Sequence, residues 1–341
     1  MYQTPKIFSQ QKNSIQYKII HIFRRHARSV APLLTLTVLI VFFSFASEGG
    51  RFFSGRNFVN IFQQAATLAI MSTGVTFVLL TGEIDLSIAS MAMFSGVLAS
   101  YLLVNHGVPG TIAFISAFVV ATFLGFINGL VTTRFRLPSF MTTLAMMQIA
   151  SGLAIYLTKG RPFFEVPAIA HTLGTERWGS IPIIIIAALV ILIIGHIVLT
   201  YTRFGRYIYM VGGNREAAEF SGVSSINVRM LALTIGGSMA GLAGLINTGR
   251  IGSAHAGGFE DMMLNSISAV VLGGTSLFGG EGGIPNTIIG LLIFGVLNNG
   301  LNMINLDIYL KTVVTGLILL IALIINVYSL KIGTESQETE E

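Results

Sequence analysis

Residues 181–199 read "IPIIIIAALVILIIGHIVL", nineteen consecutive positions without a formal charge. A helix of roughly 20 apolar residues, rising 1.5 Å each, matches the hydrocarbon thickness of a bilayer. In water such a segment has to be covered on every side. The rest of the chain offers no cover, because only 10% of its 341 residues are charged and 53% are hydrophobic, against about 25% charged in soluble domains. The segment therefore belongs in lipid, and it is not alone. Apolar stretches recur at 30–46, 57–80, 86–104, 110–133, 138–158, 181–200, 227–248, 263–279, 285–301 and 309–330. The expected fold class is an all-α polytopic membrane protein with about ten transmembrane helices. The connections 81–85 and 279–284 are the shortest.

Lysine and arginine placement orients this layout. With an even number of crossings, one side holds Lys6, Lys12, Lys18, Arg24, Arg25, Arg28, Arg134, Arg136, Arg203, Arg206, Arg215, Arg229 and Lys331. The other side holds only Arg51, Arg56, Lys159, Arg161, Arg177, Arg250 and Lys311. The excess predicts both termini in the cytoplasm, with a basic N-terminal arm over 1–29, a transmembrane domain over 30–330 and an acidic cytoplasmic tail over 331–341. The pI near 9.6 follows from the same bias and is no sign of nucleic acid. No cleavable signal peptide is visible. Cysteine is absent, which excludes structural disulfides, Cys-based zinc sites and thiol nucleophiles.

Small residues mark where helices approach closely. Gly237 and Gly241 in "GGSMAGLAG" (236–244) have the GxxxG spacing, which lets transmembrane backbones meet. "FINGLV" (126–131) and "LNNGLN" (297–302) share Asn-Gly-Leu at an offset of 171 residues. In the predicted layout the two lie near opposite faces, as inverted-topology halves would place them.

Within this apolar chain, "GGNREAAEFSGV" (212–223) is a charged island. Gly212 and Gly213 are expected to break the preceding structure. Asn214 is a good N-cap, Glu216 and Glu219 suit the first turns, and Ala217 and Ala218 favour helix. Gly222 can close the helix in the left-handed conformation. The spacing predicts about two turns of helix over 215–221 in a cytoplasmic loop, too short to stand alone in water. Either the protein's own surface or the lipid interface holds it, or a groove on a partner does.

The island resembles the G-G-N-x-E-A-A-x-x-S-G signature of the membrane subunits of bacterial ABC importers, of the ribose/xylose/autoinducer-2 permease type. "LTGEIDLS" (80–87) resembles the family's L-x-G-G-I-D-L-S, with Glu83 in place of the second glycine. "TRFGRYIYMVGGN" (202–214) is similar to the approach to the coupling loop, here 202–226. "AVVLGGTSLFGGEGG" (269–283) and "GVLNNGLN" (295–302) are similar to the late family signature. The resemblance implies that the short helix docks into a cytoplasmic ATPase subunit, with Gly213, Asn214, Glu216, Ala217, Ala218, Ser221 and Gly222 forming the ATPase-coupling element. It further implies a second permease subunit, identical or paralogous. An extracytoplasmic sugar-binding protein would dock on the opposite face, where Lys159, Arg161, Arg250, Glu260 and Asp261 are the docking candidates. The expected location is the bacterial inner membrane, with lipid as the surrounding partner and no nucleic acid. No cofactor is expected on this chain, and ATP with Mg²⁺ would belong to the partner ATPase.

No phosphate-cradling G-x-x-x-x-G-K-[ST], H-E-x-x-H or G-x-S-x-G motif occurs, so the chain is not expected to be an enzyme. His196 reads as a helix-packing group. Ionisable groups at membrane depth are costly and point to function. Glu83 and Asp85 read either as a tight turn with an acidic cap or as a helix interruption lining a solute path. Asn128, Asn247, Asn298, Asn299 and Asn302 either cross-link helices or offer hydroxyl partners to a sugar, with Phe94 and Phe294 as pathway walls. The expected function is the permease subunit of an ATP-driven sugar importer. The alternative is an ion-coupled secondary transporter, which would usually bury carboxylates in mid-membrane.

Overall fold

A computed structural model describes residues 15–324 apart from 258, 305, 308, 319, 322 and 323. The elements, in chain order, are α1 (Ile15–Ala46), a 3₁₀ turn (Glu48–Phe53), α2 (Gly55–Leu80), α3 (Ile88–His106), α4 (Gly110–Arg134), α5 (Ser139–Thr158) and α6 (Ala168–Thr175). A two-residue hairpin follows, β1 (Arg177–Trp178) and β2 (Ile181–Pro182), and then α7 (Ile183–Tyr201), α8 (Arg203–Gly213), α9 (Arg215–Phe220), α10 (Ser225–Ile251), α11 (Glu260–Leu272) and α12 (Ile284–Met303). The last described helix is α13 (Tyr309–Ile318). Seven of these, α2, α3, α4, α5, α7, α10 and α12, are long and apolar enough to cross a bilayer.

The ten apolar stretches map onto this set with three differences. The 30–46 stretch is the apolar part of a longer α1, whose helix already begins within the basic arm. The 263–279 stretch is not one helix. α11 ends at Leu272, 13 residues from its start, and a glycine-rich loop takes over to Gly283. The reason lies in the sequence: Gly274, Gly279, Gly280, Gly282 and Gly283 all adopt positive φ, which the right-handed helix excludes. The 309–330 stretch runs past the described residues, as does the acidic tail. The 159–180 segment, which lies between two predicted spans, contains α6.

Helix α10 is the axis of the molecule, packing against α2, α3, α4 and α6. It does so because small residues line it. A Cβ on Gly237 would sit 2.6 Å from Gly125 Cα on α4, and one on Gly244 would sit 1.9 Å from the Ala92 carbonyl on α3. The GxxxG spacing thus marks a true close approach. Buried hydroxyls add cross-links, such as Ser95 Oγ donating to the Gly241 carbonyl at 2.9 Å and the Thr76–Thr287 hydroxyl pair at 2.7 Å. Around this centre, α4, α5 and α7 bury only 28% of their most apolar windows, against 78% for α2. Those three helices form the outer wall of the bundle.

The connections segregate to two faces. The 81–87 turn, the 135–138 turn, α8–α9 and the 273–283 loop meet on one face: Gly280 N–H donates to the Leu80 carbonyl at 2.9 Å, and Ile84 N–H donates to Ser139 Oγ at 3.0 Å. On the opposite face the 159–180 and 252–259 segments pair, with Phe163 and Ala254 exchanging two backbone hydrogen bonds of 2.8 Å.

Candidate functional site

On the first face, α8 runs to Gly213, so Gly212 and Gly213 are helical and do not break the chain as expected. The break falls one residue later, at Asn214, whose backbone is extended (φ −154°) and whose Oδ1 accepts from Ala217 N–H at 2.9 Å. α9 then runs only to Phe220 and ends at Gly222, which takes φ +80°. Gly212 is needed for approach, not for a turn: a Cβ there would stand 1.9 Å from the Leu80 carbonyl, whereas nothing lies within 4 Å of one on Gly213.

α9 shows two characters. Ala218 is buried against its own chain, while Glu216, Ala217, Ser221 and Gly222 are exposed together with Phe220, which is 92% exposed. Of the two alanines placed in the coupling element, only Ala217 is exposed. Two polar contacts tie the helix down. Ser225 Oγ donates to Glu219 Oε1, and Arg215 Nη2 donates to Glu83 Oε1 at 2.9 Å.

Glu83 is 3% exposed and also accepts from Arg229 Nε of α10 at 2.5 Å. These three residues line a cavity of about 760 Å³ together with Arg136, Ser139 and Glu219. Asp85 lies deeper. Its Oδ1 accepts from both Ser87 N–H (2.8 Å) and Ser87 Oγ (2.6 Å), and Ser87 Oγ in turn accepts from Asn128 Nδ2 at 2.9 Å. The 81–87 segment is thus a tight turn, held by buried polar contacts to α4, α5, α9 and α10. Burial raises the Asp85 carboxyl above the usual carboxylate range, and the Ser87 contacts oppose that rise.

A second cavity, of about 310 Å³, opens toward the opposite face between α2, α10, α11, α12 and α13. Its polar lining is Gln64, Asn247, Arg250, Asn265, Asn298 and Lys311, with Phe294 and Leu68 as apolar walls. Asn247 Oδ1 accepts from Arg250 Nη2 at 3.0 Å, and Lys311 Nζ donates to Asn302 Oδ1 at 2.8 Å. No carboxylate lines this cavity among the described residues.

The chain matches a protein family described as "Branched-chain amino acid transport system / permease component" over residues 57–323. It belongs to this permease family. It is similar to "Ribose import permease protein RbsC" of Escherichia coli (strain K12), 35% identical over 298 residues that cover 86% of this chain and 92% of that protein. It is similar to the protein of the same name from Bacillus subtilis (strain 168), 35% identical over 316 residues, 91% of this chain and 96% of that one. "Fructose import permease protein FrcC" of Rhizobium meliloti is 31% identical over 335 residues, 96% of this chain and 92% of that protein. The chain is a multi-pass permease component of an ABC importer, located in the bacterial inner membrane.

Within this permease the sequence-predicted residues separate. Asn247, Phe294 and Asn298 meet at the second cavity. Arg250, expected among the docking charges, lines it too. Asn302 is exposed beside Lys311. Asn299 leaves the pathway set: its Nδ2 donates to Asn57 Oδ1 at 2.9 Å, cross-linking α12 to α2. Asn128 is bound into the Asp85–Ser87 cluster, and Phe94 is buried in the main core. Glu83 and Asp85 lie at the other face, away from that cavity. Lys159, at φ +50°, caps the end of α5 and is exposed along with Arg161. Glu260 opens α11, and Asp261 beside it is exposed. Gln64, Asn265 and Lys311 line the second cavity without being among the expected site residues. Gln64, a polar amide inside the span "FQQAATLAI", carried the available signal.

Proposed function

We propose that this permease carries a sugar or sugar-like solute, delivered by an extracytoplasmic binding protein and driven by a partner ATPase that holds ATP and Mg²⁺. In this reading two permease subunits form the path, both termini are cytoplasmic, and the face carrying α8 and α9 is the cytoplasmic one. The α9 surface formed by Asn214, Glu216, Ala217, Ser221 and Gly222 meets the ATPase. Lys159, Arg161 and Asp261 lie on the face that receives the binding protein.

The observation that supports a sugar is the lining of the 310 Å³ cavity. Four amides and two cationic groups supply both donors and acceptors, which suits a solute made of hydroxyls. Such contacts are individually modest, so the solute can also leave. The relatives named for ribose and fructose support the same class. An amino-acid solute, as the family description has it, finds one favourable feature: Arg250 and Lys311 could hold a carboxylate. Its ammonium group, however, would meet no carboxylate in the described lining.

The test is uptake into vesicles carrying the permease co-expressed with ATPase and binding subunits from the same genome. Labelled ribose, fructose and leucine are offered in parallel. Uptake of a sugar alone is expected; uptake of leucine alone would overturn the sugar reading.

A further inference from the structure

We propose that Arg215 and Glu83 form a transmission link, in which a buried carboxylate on the 81–87 turn lets movement of α9 pull on the membrane helices. The inference rests on the ATP-driven reading above and adds positioning residues to it.

α9 is six residues long and could not persist by itself. Its own fold holds it by one buried side chain, Ala218, and by two polar tethers of different kinds. The Glu219–Ser225 tether only returns to the next helix in sequence. The Arg215–Glu83 tether crosses 132 residues of chain to a turn between two spans. Glu83 is nearly fully buried, and Arg229 fixes its carboxylate from the α10 side. A buried carboxylate held by two guanidiniums is a stiff joint, because Arg229 fixes the carboxylate and Arg215 then moves only with it or by giving up a charge-assisted hydrogen bond.

The turn beyond this joint is itself wired into the bundle. Ile84 and Leu86 donate backbone N–H groups to Ser139 Oγ (3.0 Å) and Thr143 Oγ1 (3.1 Å) on α5. Asp85 and Ser87 lead on to Asn128 on α4. α3 begins at Ile88, immediately after the turn, and packs on α10. A displacement of Arg215 therefore reaches α3, α4, α5 and α10 through the 81–87 turn, without passing through the loop that joins α9 to α10.

The test uses Arg215→Met. Arg215 is 45% exposed, and its removal leaves the buried Glu83–Arg229 pair intact, so the fold is retained. The chain has no cysteine, so Asn265→Cys places a single thiol in the opposite-face cavity. The readout is its labelling rate by a methanethiosulfonate reagent in the permease–ATPase complex, nucleotide-free against ATP–vanadate-trapped. No solute is needed. Arg215→Met is expected to shrink the nucleotide-dependent change in rate by about 5-fold or more, with complex assembly and thermal midpoint unchanged. Arg215→Lys should restore part of it. Glu83→Gln should reproduce the loss, and the double variant should be no worse than either single one. An unchanged labelling response in Arg215→Met would overturn the link. So would additive effects of the two variants, or loss of ATPase assembly, which would make Arg215 a partner contact. If the parent complex itself shows no nucleotide-dependent change, it is the ATP-driven reading that fails.

Discussion

Adjacent glycines at 212 and 213 are predicted to behave as opposites on conversion to alanine. Both are in α8, and alanine is favoured over glycine there by up to about 1 kcal/mol. At Gly213 that gain is all that changes, since no atom lies within 4 Å of the added Cβ. At Gly212 the Cβ would stand 1.9 Å from the Leu80 carbonyl oxygen and 2.5 Å from Gly280 N, so α8 must retreat by about 1.5 Å to reach ordinary contact at 3.4 Å. Overpacking of this kind costs about 1–3 kcal/mol. Prising the Gly280 N–H from the Leu80 carbonyl, now 2.9 Å apart, adds roughly 1 kcal/mol. After the helix gain the net loss is about 1–3 kcal/mol. The assay is thermal unfolding of the detergent-solubilised permease, followed by size-exclusion fluorescence. Gly212→Ala should lower the midpoint by several degrees, and Gly213→Ala should leave it level or slightly raised. Equal midpoints for the two variants would refute the close approach of α8, the end of α2 and the 273–283 loop.

Asn247→Ala removes the acceptor that aims the Arg250 guanidinium into the cavity. It should cut uptake roughly 10-fold, as loss of about 1.4 kcal/mol would, without altering expression in the membrane. Asn299→Leu breaks the cross-link to Asn57; it should cost about 1 kcal/mol of stability while leaving the uptake half-saturation concentration unchanged. Glu216→Arg reverses an exposed charge on α9. It should abolish substrate-stimulated ATP hydrolysis by the complex, with membrane insertion measured in parallel and unaffected.

The long spans were legible because each is apolar over nearly its whole length, and lipid demands that pattern wherever a helix crosses. α11 was not, because the pattern there counts hydrophobicity and overlooks backbone: "AVVLGGTSLFGG" stays apolar across residues whose glycines leave the helical region. The α9 cap at Asn214 was readable since capping is local, and so was its end at Gly222. The role of Gly212 was not, because its cause is a carbonyl 132 residues earlier, at Leu80. The same holds for Glu83, whose two arginines come from distant segments. The asparagines looked alike in sequence, and only packing divides them: Asn247 and Asn298 reach the cavity, while Asn128 and Asn299 bind other helices. Lys311 reads in the sequence only as an outer-side charge, and α13 brings it into the cavity lining.

The proposed function requires that solute move through this membrane domain only when a separate nucleotide-hydrolysing subunit drives it from the α9 face. The most direct measurement is sugar uptake into sealed liposomes holding the permease and ATPase, with binding protein outside and ATP trapped inside. Uptake that needs internal ATP and survives an uncoupler that collapses ion gradients is the predicted result. Uptake that proceeds without ATP and stops on adding the uncoupler would contradict it.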